Sequence, residues 1–112
     1  MPSRVDRRTV WRGLFGGALA GVLFLALVPG GNGPDWFPHA DKLRHAAAFI
    51  ALWAVGRRAG LKPSWALALG LLAFGIGIEL AQALTPDRES SLGDVLADAA
   101  GIAAGRALLG GF

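Results

Sequence analysis

"GLFGGALAGVLFLALV", residues 13–28, has no charged side chain, and the uncharged run continues to Pro34. About 20 residues of α-helix, at about 1.5 Å each, cross the hydrocarbon core of a bilayer. The stretch therefore predicts a membrane-spanning helix over residues 11–28, and its solvent governs how every later segment is read. A second uncharged run, "PSWALALGLLAFGIGI" at residues 63–78, regains its apolar texture through Leu84 after Glu79 and predicts a helix over 64–84.

The segments between and after these runs carry charge. "AAAFIALWAVG", residues 46–56, is too short to span alone. Extended back, with Asp35 as N-cap and Pro38 in the first turn, it predicts a helix over 37–58. The final segment, residues 91–109, carries Asp94 and Asp98 among Val, Leu, Ile, Ala and Gly, with Ser90 or Ser91 placed to cap it. A hydropathy window alone would miss this helix. The connections are short, which puts sequential helices side by side and antiparallel. The expectation is a single domain over residues 1–112: an all-α integral membrane bundle of four antiparallel transmembrane helices.

Composition agrees. The chain is 54% hydrophobic and 17% charged, against roughly 25% charged in soluble domains. Its 17 glycines lie mostly inside apolar stretches, where membrane helices use them for close approach. The absence of Cys excludes disulfides, thiolate metal sites and cysteine nucleophiles. A soluble bundle would show polar stripes at helical spacing, and residues 14–28 and 64–78 show none. The first segment also resembles a signal peptide in its basic start, but its run is long and the small-x-small pattern before Pro29 is poor, so no cleavage is expected.

Charge sets the orientation. With the N-terminus inside, Arg4, Arg7, Arg8, Arg12, Arg57, Arg58, Lys62 and Arg106 lie on the cytoplasmic side with Asp6, a balance of +7. Lys42, Arg44, Arg88 and the other seven acids lie outside, a balance of −4. This is the positive-inside bias and puts both termini in the cytoplasm. The basic start is a topology signal and a contact for anionic lipid; no nucleic-acid partner is expected. Trp11, Trp36, Trp53 and Trp65 are expected as interfacial anchors. Gly13, Gly17 and Gly21, and Gly93, Ala97, Gly101 and Gly105, form two small-residue ridges. Packing within one chain is the first expectation for both, homo-oligomerisation the second.

Three polar clusters converge on the outer side. In "DKLRH", Asp41 and His45 are i, i+4 and Lys42 and His45 are i, i+3. Glu79 and Gln82 are i, i+3 near the end of the third helix. "RESSLGDVLAD" supplies Arg88, Ser91 at the cap, and Asp94 with Asp98 at i, i+4. Glu79 and Asp98 lie about 9–10 Å below the helix ends at helical rise, where an acid costs a few kcal/mol unless it faces the bundle interior and finds partners. Lys42, Arg44, His45 and Arg88 are the expected partners. The bland alternative is a polar plug that only fixes helix register. No metal or other cofactor is expected, although His45, Glu79, Asp94 and Asp98 form the donor set that a divalent ion would need.

Together "DKLRH", "ELAQ" and "RESSLGDVLADAAG" resemble the VanZ-like family of small bacterial membrane proteins, over about Asp41 to Gly105. The family pattern is Asp-Lys-x-x-His, then Glu-x-x-Gln, then Arg-x-x-Ser-x-x-Asp-x-x-x-Asn. Asp41, Lys42, His45, Glu79, Gln82, Arg88, Ser91 and Asp94 match it, while Asp98 stands where the family usually has Asn. The resemblance implies a multi-pass protein of the bacterial inner membrane and a link, through the family's namesake, to teicoplanin-type glycopeptide resistance. It implies no established reaction.

Two functions follow as expectations. In the first, the outer polar pocket binds an anionic lipid-linked or cell-wall ligand through Lys42, Arg44 and Arg88. In the second, ranked lower, a membrane-embedded hydrolase or transferase acts on a lipid-linked phosphate, with His45 or Glu79 as general acid/base.

Overall fold

The computed structural model describes residues 6–27, 40–85 and 92–109, with side chains from Lys42 onward in the second block. Among them are four α-helices and no strand: α1 (Arg7–Leu27), α2 (Ala40–Arg58), α3 (Ser64–Ala83) and α4 (Leu92–Leu109). The bounds fall close to those expected. Asp35, Pro38, Ser90 and Ser91, expected at helix starts, lie outside the described residues, and α2 is seen from Ala40.

The turn after α2 shows why the chain reverses there. Leu61 N–H donates to the Gly56 carbonyl and Gly60 N–H to the Arg57 carbonyl, the paired bonds that close a helix C-terminus. They require a left-handed residue between them, and Gly60 has φ +77°. At the far end of α3, the Thr85 hydroxyl donates to the Ala81 carbonyl at 2.7 Å and helps satisfy the last turn.

Side-chain and close contacts give the directions. Lys42 meets Asp94, His45 meets Asp98, and Trp53 meets Gly105, so α2 and α4 run parallel. Arg12 reaches Ala59 and Gln82 reaches Ala26, so α1 is antiparallel to α2 and parallel to α3. Sequential helices thus alternate in direction. The most extensive contact joins α2 to α4, neighbours in space but not in sequence, while α1 and α4 do not meet.

Glycine makes the α2–α4 contact close. A Cβ on Gly101 would strike the Ala46 carbonyl oxygen, and one on Gly105 would lie 2.9 Å from the Trp53 Cβ. Gly101 and Gly105 of the α4 ridge therefore pack within the chain. The α1 ridge does not: a Cβ at Gly13, Gly17 or Gly21 would meet nothing within 4 Å. Trp53 also departs from its expected role as an anchor. It is wholly buried, in a core with Phe49, Leu52, Leu67, Leu71, Ile78 and Ile102. It lies near the end of α2, but on the face that α4 covers. Trp65 is exposed, and Trp11 carries the Arg58 guanidinium 5.2 Å above its ring.

Much of the outer surface is apolar. Phe24 is 68% exposed, Leu80 64% and Leu96 63%, joined by Leu23, Leu25, Leu69, Ile76 and Leu108. Among the described residues, α1 and α3 are the two helices long and apolar enough, by length and composition, to cross a membrane. α2 and α4, with 19 and 18 residues, are of comparable length but are interrupted by charge.

Candidate functional site

Charge segregates to the two ends of the bundle. Arg8 against Gly60, Arg12 on the Ala59 carbonyl, Arg57 on the Leu61 carbonyl and Arg58 over Trp11 gather round the α2–α3 turn. The opposite end collects the start of α2, the end of α3 and the start of α4, and with them the polar residues of the apolar segments.

Lys42 Nζ donates to Asp94 Oδ1 at 2.8 Å, with the Lys42 side chain 31% exposed and that of Asp94 8%. One turn deeper, His45 Nδ1 and Asp98 Oδ1 are 2.8 Å apart, and the Asp98 side chain is wholly buried. The two contacts are one helical turn apart on both helices, because parallel helices in register bring i, i+3 on one against i, i+4 on the other. Asp94 lies in the first turn of α4, where the helix dipole favours a negative charge. His45 Nε2 is 3.9 Å from Asp94 Oδ2, so the imidazole sits between the two acids.

α3 completes the site. Glu79 and Gln82 are buried, one turn apart on the face that α3 turns inward. Gln82 Nε2 donates to the Ala26 carbonyl at 2.9 Å and ties the end of α1 to the site. Among the described residues its buried Oε1 has no hydrogen-bond partner, nor has Asp98 Oδ2. Asp98 reaches α3 at Gly75, where a Cβ would stand 2.6 Å from Oδ2. A larger residue at that position would drive the carboxylate off α3. One donor atom from each of His45, Glu79 and Asp94 lies within 4.8 Å of the others.

The structure thus brings together Lys42, His45, Glu79, Asp94 and Asp98, with Gln82 beside them. Arg44 is half-buried on α2. The side chain of Asp41, and Arg88 and Ser91 entirely, lie outside the described residues. Gly75 and the Ala26 carbonyl are the parts that sequence reasoning missed. Gly75 had a signal in principle, as a glycine one turn before Glu79 on the same helix, whereas a backbone carbonyl has none. Two apolar grooves lie apart from this cluster: one of about 470 Å³ between α3 and α4 and one of about 640 Å³ between α1 and α3, with Arg106 and Lys62 among their respective walls. The chain matches no protein-family model, no curated protein and no solved structure in the comparisons made.

Proposed function

We propose that this chain is a multi-pass protein of the bacterial inner membrane, of VanZ-like type, with four transmembrane helices and both termini in the cytoplasm. Its polar site faces outward and binds an anionic lipid-linked or cell-wall ligand. The observation that carries this reading is the inward convergence of Lys42–Asp94, His45–Asp98, Glu79 and Gln82 at one end of a bundle whose outer surface is apolar. In water, exposed Leu, Ile and Phe on this scale would be an aggregation liability. In lipid they are the ordinary surface, and polar groups belong inside.

The basic end supports the orientation, since cytoplasmic ends carry the Lys and Arg excess. Two of the charges that interrupt α4, Asp94 and Asp98, are enclosed by the bundle, and those of α2 lie towards its two ends. α1 also passes for a signal sequence by composition, but the Gln82 and Arg12 bonds to and from it favour a helix that stays with the bundle. Lys42, at the rim, is positioned to meet the ligand first. A link to glycopeptide resistance would follow if that ligand were a cell-wall precursor.

The test is binding of polyprenyl pyrophosphates and lipid-linked cell-wall precursors to the purified protein in nanodiscs, read by native mass spectrometry and thermal shift. A stabilising one-to-one complex, weakened by Lys42→Ala, is the expected result. Indifference to every such compound refutes the reading.

The His45–Asp98 contact favours a second reading. An imidazole oriented by a buried carboxylate is the arrangement that general acid/base catalysis needs. In this reading the protein is a membrane-embedded hydrolase or transferase acting on a lipid-linked phosphate. Turnover on such substrates that is lost in His45→Ala and Glu79→Gln would favour it; turnover unchanged by both would exclude these residues as the catalysts.

A further inference from the structure

The buried part of the polar site is rich in carboxylate, so an anionic ligand of the kind proposed above would need a cation there. Among the described residues its buried charged side chains are carboxylates, Glu79, Asp94 and Asp98, with Lys42 at the rim. Lys42 is already engaged with Asp94. An anionic group entering between Glu79 and Asp94 would meet like charge in a poorly screened setting. Bound cations are often the largest charges in such sites and reverse their local sign.

We infer that His45, Glu79 and Asp94 form a divalent metal site, taking a first-row transition ion of the Mn²⁺ to Zn²⁺ class. Each residue comes from a different helix, and their donor atoms lie within 4.8 Å of one another. Two donors about 2.1 Å from a tetrahedral ion stand about 3.4 Å apart. The 3.9 Å from His45 Nε2 to Asp94 Oδ2 therefore closes with a small side-chain rotation. Asp94 meets Lys42 through Oδ1, while Oδ2 is the oxygen on the side of His45 Nε2.

The surroundings fit an ion independently of the three ligands. His45 Nδ1 is held by Asp98 Oδ1 at 2.8 Å, which leaves Nε2 as the coordinating nitrogen. Carboxylate support of this kind fixes the ring and raises its basicity towards metal. Asp98, the residue that holds His45, is wholly buried, and among the described residues its second oxygen, Oδ2, has no hydrogen-bond partner. A buried carboxylate with an unpaired oxygen, bonded to the imidazole, suits a cation better than it suits any anion. The mixed nitrogen and oxygen set selects a borderline ion over Ca²⁺, which prefers oxygen alone. This departs from the expectation of no metal drawn from the sequence.

Where the ion leads also depends on the proposed function. A divalent ion held by three protein ligands keeps open positions, and the phosphate oxygens of a lipid-linked pyrophosphate would fill them. The metal would then bridge an acidic site to an anionic headgroup.

The experiment uses the full chain in nanodiscs, stripped with a chelator. Zn²⁺ binding is followed by calorimetry and Mn²⁺ binding by electron paramagnetic resonance. One ion per chain is expected, weakened at least tenfold by His45→Gln and by Glu79→Gln and unmoved by Asp6→Asn at the opposite end. Asp98→Asn, which keeps the side-chain shape, is expected to weaken metal binding by about 10- to 100-fold while leaving the melting of the metal-free protein close to wild type. No binding at millimolar ion, or affinity indifferent to all three site variants, overturns the inference. Titration of geranylgeranyl pyrophosphate with and without chelator separates it from the functional proposal. Pyrophosphate binding unaffected by chelator sinks the bridge and keeps the ligand reading; metal binding with no pyrophosphate binding keeps the metal site and sinks the ligand reading, and the bridge with it.

Discussion

Gly101→Ala adds one methyl group where two backbones meet, and it probes the contact that assembles the site. The new Cβ would strike the Ala46 carbonyl oxygen and lie 3.0 Å from both the carbonyl carbon and Cα of that residue. Ordinary van der Waals contact begins near 3.4 Å. Backbone atoms cannot rotate aside, so α2 and α4 must part by at least a few tenths of an ångström. Overpacking of this kind costs about 1–3 kcal/mol, or roughly 5- to 150-fold in the folding equilibrium. Because Lys42–Asp94 and His45–Asp98 cross the same interface, both bonds should lengthen. Gly17→Ala is the matched control, since a Cβ there meets nothing within 4 Å. It is expected to change stability by less than about 0.5 kcal/mol. Denaturant unfolding of both variants in one lipid or detergent system gives the comparison, with ¹⁵N chemical shifts of His45 reporting the hydrogen bond. Equal stability of the two variants, with the His45 resonances unmoved, would refute the close α2–α4 packing on which the site depends.

Two other perturbations address the polar network. Gln82→Leu removes the bond to the Ala26 carbonyl and leaves that oxygen unsatisfied, at a cost of about 1–3 kcal/mol; hydrogen exchange should show faster opening at the end of α1 than elsewhere. For the Lys42–Asp94 pair, a double-mutant cycle with Lys42→Met and Asp94→Asn should give a coupling of about 0.5–3 kcal/mol, measured by unfolding in nanodiscs. Coupling indistinguishable from zero would mean that the 2.8 Å contact contributes nothing to the fold.

The helices were legible from two strong marks: uncharged runs at residues 13–28 and 63–78, and basic residues clustered near particular ends. The inward set was legible for a related reason. Glu79 and Gln82, or Asp94 and Asp98, share a helix face, and an acid in an apolar segment has one acceptable direction. What could not be read was which neighbour each face meets. Gly13, Gly17 and Gly21 look like Gly101 and Gly105 in sequence, yet α1 turns its ridge away from the bundle while α4 sets its glycines against Ala46 and Trp53. Trp53 shares the apolar character of an anchor and differs only in facing the helix that covers it. Helical spacing assigns residues to a face, but which neighbouring helix covers that face is a tertiary choice that spacing does not encode. The Ala26 carbonyl was beyond reach for another reason, being backbone that any residue would supply.

The central claim is that lipid is the solvent of this bundle, and spin labels test it most directly because the chain has no cysteine to remove. Labels at Phe24→Cys, Leu69→Cys and Leu96→Cys, all on exposed apolar surface, would be compared with one at Asp6→Cys beyond the start of α1. In reconstituted bilayers the first three should be relaxed by oxygen, which concentrates in hydrocarbon, and shielded from a water-soluble nickel chelate, with Asp6→Cys the reverse. Free access of the chelate to Phe24→Cys, Leu69→Cys and Leu96→Cys would contradict the account.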